Sequence, residues 1–152
     1  MIVGEGCLSD DLKTLARQEG VDYAVRFAGQ LGEGEKAALL HACRAFVMVS
    51  REQRRPALFE GFGIAYIEAA IAGRPAIAGA SGGCPDAVLD GETGVLVDPK
   101  SVTDVVCAAL RLLQDPEYAD RLGARAQRRA QADFTWDKAI ARMNLHMESA
   151  LR

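Results

Sequence analysis

Short apolar runs alternate with amphipathic stretches along the chain as far as Val97, after which only the amphipathic pattern continues. The runs predict strands over residues 1–4, 25–28, 45–49, 75–79 and 93–97. Ala45-Phe46-Val47-Met48-Val49 is continuously apolar rather than alternating, as a strand covered by helices on both faces should be. Between the runs, Ser9 is placed to cap a helix carrying Leu12, Leu15 and Ala16, with Gly20 at its end. Residues 34–43 predict a second helix with Leu39 and Leu40 inward. Residues 63–72 predict a third, stopped by Gly73 and Pro75. Residues 101–113, then 116–133 opened by Asp115-Pro116, then a segment from about Thr135 predict three more helices. The alternation defines an α/β class: a Rossmann-like parallel sheet of about five strands flanked by helices, with a helical C-terminal tail. No internal repeat, low-complexity tract or Gly/Ser linker divides residues 1–152, so one domain is expected.

Composition narrows the function classes. A chain of 152 residues can bury a core without disulfides or metals, and 49% hydrophobic with 26% charged residues excludes a disordered chain. The net charge of -3 gives no broad attraction for nucleic acid. Cysteines at 7, 43, 84 and 107 form no C-x-x-C pair, and His41 and His146 have no ligand-like spacing to them. Free thiols, no metal site and a reducing cytoplasmic setting are expected. The N-terminus lacks the basic and apolar regions of a signal peptide, and no apolar run approaches the roughly 18 residues of a spanning helix.

The helix over 63–72 carries the most chemistry. Ile64, Ile67 and Ile71 stand at i, i+3 and i+7 and mark an expected buried face, with Glu68 inside that stripe. A carboxylate there needs donors, either the hydroxyls of a ribose or hexose or a lysine or arginine partner. Glu60 precedes Gly61-Phe62-Gly63, which opens the same helix. Glycine lets backbone N–H groups approach a ligand, and a helix N-terminus favours a diphosphate. A rise of about 1.5 Å per residue puts the two carboxylates on the order of 10 Å apart, suited to the two ends of a nucleotide sugar.

Other features keep two readings each. Arg51, Arg54 and Arg55 either draw in a diphosphate or form a charged exposed loop. Arg121, Arg125 and Arg128 share a helix face that either touches anionic lipid headgroups, a peripheral membrane contact, or is simply solvated. His41 reads as structural. Gly4-x-Gly6 after the first run suggests a small Rossmann-type nucleotide-binding module, but Ser9 holds the third glycine position and the expected acidic residue is absent.

Taken together, Glu60 and Glu68 with Gly61, Phe62 and Gly63 resemble the E-x7-E signature of GT-B-fold retaining glycosyltransferases of family 4 (group 1), mannosyltransferase-like members among them. The resemblance extends over nearly the whole chain. It includes Met1-Ile-Val-Gly-Glu-Gly, Val25-Arg26-Phe27-Ala28-Gly29-Gln30-Leu31, Ser81-Gly82-Gly83-Cys84-Pro85-Asp86-Ala87-Val88, Asp90-Gly91-Glu92-Thr93-Gly94-Val95-Leu96-Val97 and Phe134-Thr135-Trp136.

The resemblance implies the donor-binding portion of an enzyme that moves a sugar from a UDP-, GDP- or ADP-linked donor to an acceptor hydroxyl. It implies Glu60 as the catalytic position, holding donor-sugar hydroxyls together with Gly61 and the Phe62 and Gly63 amides. Gly82 and Gly83 would lie beside the sugar and diphosphate, Glu68 would take the ribose hydroxyls, and the main chain at Ala28, Gly29, Gln30 and Leu31 would edge the base. Cys7 and Cys84 would lie near the ligand. Transfer in the family is front-face with retention and needs no obligatory metal or other cofactor, which agrees with the missing Asp-x-Asp motif.

The resemblance also implies missing parts. The strand that carries a diphosphate-neutralising arginine and lysine precedes Met1 in the family, and so does the N-terminal acceptor lobe, so turnover by this chain alone is not expected. In the strand order 3-2-1-4-5-6 the absent strand is the central one, leaving an unpaired inner edge. The expectation is that the gap closes directly or that another chain covers it, as in a homodimer. A fragment of a sugar-nucleotide epimerase or phosphorylase with the same two-lobed fold is the nearest alternative.

Overall fold

The computed structural model describes residues 1–54 and 57–150. It divides into two compact units, Met1–Ala38 and Leu39–Arg152.

In the first unit, helix α1 (Ser9–Gln18) buries Ala16, while Leu12 and Leu15 are 40% and 50% exposed. Ser9 is the first helical residue rather than the cap; its hydroxyl accepts from the Gly6 N–H at 3.2 Å. Gly20 ends the helix with φ 67°, as its position predicts. Two of the five expected strands do not form here. Residues 1–4 and 25–28 make one isolated parallel bridge, Ile2 to Phe27, held by Ile2 N–H to the Arg26 carbonyl (2.8 Å) and Ala28 N–H to the Ile2 carbonyl (2.9 Å). Ile2 and Val3 are 40% and 48% exposed, so the burial that rewards a longer ladder is absent, and Gly4 at φ 105° turns the chain.

Helix α2 (Glu33–Ala42) contains the boundary; Leu39 and Leu40 are half-buried. Beyond it, β1 (Phe46–Met48) is followed by an antiparallel hairpin, β2 (Gln53–Arg54) and β3 (Ala57–Leu58), that the sequence pattern did not predict. Then come α3 (Ile64–Ile71), β4 (Ala76–Gly79), a short α4 (Cys84–Ala87), β5 (Gly94–Val97), α5 (Val102–Gln114), α6 (Pro116–Asp133) and α7 (Trp136–Ala150).

The sheet has three parallel strands, not about five, in the order β1-β4-β5, with Phe46 opposite Ala76 and Ala76 opposite Gly94. The sheet ends at β1 among the described residues, so its inner edge is not closed by another strand.

All four residues of β4 are buried, as its position between two helical layers requires. Ala76 and Ala78 face a cluster with Tyr66, Ile67, Ala70, Cys84, Val88, Ala126 and Ala130. Ile77 faces the other side, with Val97, Ala108, Leu112, Ala119 and Leu122. Helix α6 therefore serves both layers, its first half one and its second half the other.

Local capping explains the helical ends in this region. The Ser101 hydroxyl accepts from Asp104 N–H at 3.1 Å, the Asp115 carboxylate from Tyr118 N–H at 2.8 Å, and Thr135 Oγ1 from Lys138 N–H at 3.4 Å. Among the described residues, no helix is long and apolar enough to cross a membrane.

Candidate functional site

The loops after β1 and β4 leave the sheet at the same, carboxyl edge, where open parallel sheets present ligands. The turn at residues 60–63 ends the first loop, and Gly82-Gly83 sits in the second. The Gly83 N–H donates to the Glu60 carbonyl at 2.9 Å. A Cβ on Gly83 would lie 2.0 Å from the Gly61 carbonyl oxygen, and one on Gly82 would lie 2.5 Å from that of Glu60. The two loops thus meet backbone on backbone, which only glycine permits.

Further contacts fix this pair of loops. The Glu52 N–H donates to Ser81 Oγ at 3.0 Å, tying the base of the hairpin to the second loop. Phe62 packs on Phe134 with ring centroids 5.3 Å apart. Arg129 lies over Phe134 at 4.8 Å and donates to the Ala87 and Asp86 carbonyls at 2.7 Å each, so α6 braces α4 and Phe62 together. Gly63, at φ 88°, is the N-cap of α3, and the Tyr66 ring occupies the space its Cβ would need.

Tyr66 is the buried polar group of this region, 1% exposed. Its hydroxyl donates to the Met48 carbonyl and lies 3.5 Å from Cys84 Sγ. Burial pushes the phenol well above its ordinary range, and Cys84 and the Glu60 charge push it the same way, against a hydrogen bond from Ser50. Burial likewise raises the Cys43 thiol, opposed by Arg74.

The expected buried stripe of α3 is not the observed one. Ile64 and Ile71 are 72% and 51% exposed; Tyr66, Ile67, Ala69 and Ala70 are buried. The small residues face α6, where Gly123 meets the Gly73 carbonyl so closely that a Cβ would lie 2.1 Å from it. Close helix contact there favours alanine over isoleucine. Glu68 is half-buried on the more open side of the helix, so burial among isoleucines does not describe its setting.

The structure brings together Glu60, Gly61, Phe62, Gly63, Gly82 and Gly83, and puts Glu68 farther along α3. Ala28, Gly29, Gln30 and Leu31 belong to the first unit, where Gly29 at φ 65° accepts from the Gly4 N–H at 2.7 Å.

Arg51 is exposed, and Arg55 lies outside the described residues. Arg121, Arg125 and Arg128 are exposed on α6, with Arg121 3.9 Å from Glu117. His41 contributes its carbonyl, which accepts from Arg74. Cys84 is fully buried and Cys7 exposed, both free thiols. Among the described residues, no group of three His, Cys, Asp or Glu side chains could hold a metal ion.

Sequence reasoning missed Tyr66, Ser50, Ser81 and Arg129. Only Tyr66 carried a signal, a large polar-tipped side chain in an otherwise alanine- and isoleucine-rich helix.

A helix-flanked parallel sheet with two glycine loops clasped at its carboxyl edge defines an α/β unit of the doubly wound, Rossmann-like class. The chain belongs to the glycosyl transferases group 1 family, whose model matches residues 1–129. It is 38% identical over 135 residues to a glycogen synthase of Mycobacterium tuberculosis, covering 89% of this chain and 31% of the relative. It is 36% identical over 143 residues to a GDP-mannose-dependent alpha-(1-6)-phosphatidylinositol monomannoside mannosyltransferase of the same organism, covering 94% and 37%.

Solved GT-B glycosyltransferases share the fold. A sucrose-phosphate synthase from Thermosynechococcus elongatus superposes with a TM-score of 0.81 at 30% identity over 96% of this chain and 35% of that one. Anabaena HepE in complex with UDP and glucose gives 0.78 at 23% identity over 98% and 39%. The chain spans about a third of the length of these curated relatives, from 31% to 37%.

Proposed function

We propose that the chain is the donor-binding portion of a retaining glycosyltransferase, which transfers a sugar from a nucleotide-diphospho-sugar to an acceptor hydroxyl. The observation that carries this reading is the backbone clasp of Gly82-Gly83 on Glu60-Gly61 at the carboxyl edge of the sheet, in a chain of the group 1 family. The relatives named above include a GDP-mannose-dependent enzyme and a structure holding UDP and glucose, which supports a nucleoside-diphosphate sugar as ligand.

In this reading Glu60 and the amides of Phe62 and Gly63 take the donor-sugar hydroxyls, with Gly61, Gly82 and Gly83 beside the sugar and diphosphate. Glu68 takes the ribose hydroxyls, and the main chain at Ala28, Gly29, Gln30 and Leu31 edges the base. Positioning and stabilisation of charge on the leaving diphosphate supply the catalysis, without a metal. The acceptor lobe comes from outside these residues, so the chain alone binds donor but does not turn it over. A second copy of the chain covering the free edge of β1 would give a homodimer. A cytoplasmic location belongs to the same proposal, and the exposed α6 arginines read as a solvated face.

Calorimetric titration with UDP, GDP, ADP and NAD tests it. One of the three diphosphates should bind, and Glu68→Ala should weaken that binding about tenfold, the loss of one charged hydrogen-bonding partner, with the fold intact. Binding of NAD alone would refute the reading.

A further inference from the structure

We propose that Tyr66 is a positioning residue of the donor site, its buried hydroxyl holding the loop after β1 and the start of α4 in one register while its ring lies against the turn at residues 60–63. The proposal rests on the donor-binding reading above and adds to it the device that lets Glu60 and the Gly82-Gly83 turn meet one ligand together.

A phenol has one proton to give and can accept in return. The Tyr66 proton goes to the Met48 carbonyl at the end of β1. Towards Cys84 Sγ, 3.5 Å away, the phenol oxygen is therefore the acceptor. One atom thus joins two chain segments. Met48 begins the loop that leads to Glu60, and Cys84 directly follows Gly82-Gly83. The third segment is Tyr66's own helix, whose N-cap, Gly63, lies against its ring.

The ring packs edge-on against Phe46 with centroids 5.9 Å apart and fills the core without help from the hydroxyl. Packing alone would be served by phenylalanine. With phenylalanine, a carbonyl and a thiol in a buried region would lose a shared partner, and the loops that carry them would lose their common anchor.

Tyr66→Phe in the 152-residue chain separates anchoring from packing. Hydrogen exchange of the Gly83 N–H, which reports the clasp through its bond to the Glu60 carbonyl, should quicken by about tenfold or more while Leu112 and Leu122 in the core keep their rates. By calorimetry with the pairs UDP and UDP-glucose, GDP and GDP-mannose, and ADP and ADP-glucose, the variant should lose about tenfold for the sugar nucleotide that binds and under twofold for its diphosphate.

Cys84→Ala, which removes a single partner of the hydroxyl, should move the Gly83 exchange the same way by less, and Cys84→Ser should restore it. Unchanged Gly83 exchange in Tyr66→Phe overturns the proposal, as does a uniform rise that includes Leu112 and Leu122. If Gly83 responds as expected but no sugar nucleotide binds the parent chain, the donor-binding reading falls while the hydroxyl's hold on the two loops is upheld.

Discussion

Two glycine turns in this chain look alike in sequence and differ in what surrounds them. Gly4-x-Gly6 follows an apolar run and has the outward form of a phosphate-binding turn, yet a Cβ at either glycine would meet nothing within 4 Å. Gly82-Gly83 lacks that spaced-glycine form, and its missing Cβ atoms are what let the Glu60 and Gly61 carbonyls come close. The difference teaches that glycine spacing is only a suggestion of chemistry. What an absent side chain admits, here a second loop of backbone, is the informative quantity.

Substitution by alanine turns this comparison into a graded series. The largest effect is expected for Gly83→Ala. Its φ of -87° suits alanine, so the whole cost is the 2.0 Å approach to the Gly61 carbonyl oxygen. That should lower stability by about 3 kcal/mol in urea unfolding and abolish nucleotide-sugar binding. Gly82→Ala combines φ 57° with a 2.5 Å approach to the Glu60 carbonyl oxygen, but Gly82 is exposed and can swing outward, so about 2 kcal/mol is expected.

Gly29→Ala, at φ 65°, meets only the mobile end of the Glu5 side chain, 3.0 Å away, leaving mainly the left-handed penalty of about 1 kcal/mol. Gly6→Ala should change stability by no more than about 0.5 kcal/mol. Equal losses at Gly6 and Gly83 would break the comparison; a loss of binding at Gly83 with stability unchanged would sharpen it, by separating the site from the fold.

Much of the fold was legible from the chain, unevenly. Helices α5 and α6 begin where Ser101 and Asp115-Pro116 predict, because a cap is chemistry between residues three apart and needs no neighbour. Strands β1, β4 and β5 lay within their predicted runs, because continuous apolar segments demand two covered faces. The runs at 1–4 and 25–28 met the same pattern and became a single bridge, since pairing depends on partners that local composition does not contain.

The candidate site divides along the same line. Glu60, Gly61, Phe62, Gly63, Gly82 and Gly83 were named from the sequence, and their meeting at one edge follows from two parallel strands ending side by side. Residues that act through distant contacts were silent: Ser81, joined to Glu52 across 29 positions, and Arg129, joined to Ala87 across 42. The face of α3 was misread for a related reason. Ile64 and Ile71 satisfy the helical period, but α6 approaches through Gly123 and selects the alanine side.

The sequence by itself determined the α/β class, the helix ends and the family, because propensity, capping and motif are local in the chain. Tertiary structure alone decided how many strands pair, which face of α3 is buried, and that the phenol of Tyr66 anchors two loops. Those outcomes belong to surfaces that come together only after the chain has turned back on itself, and no window along the sequence contains both sides of them.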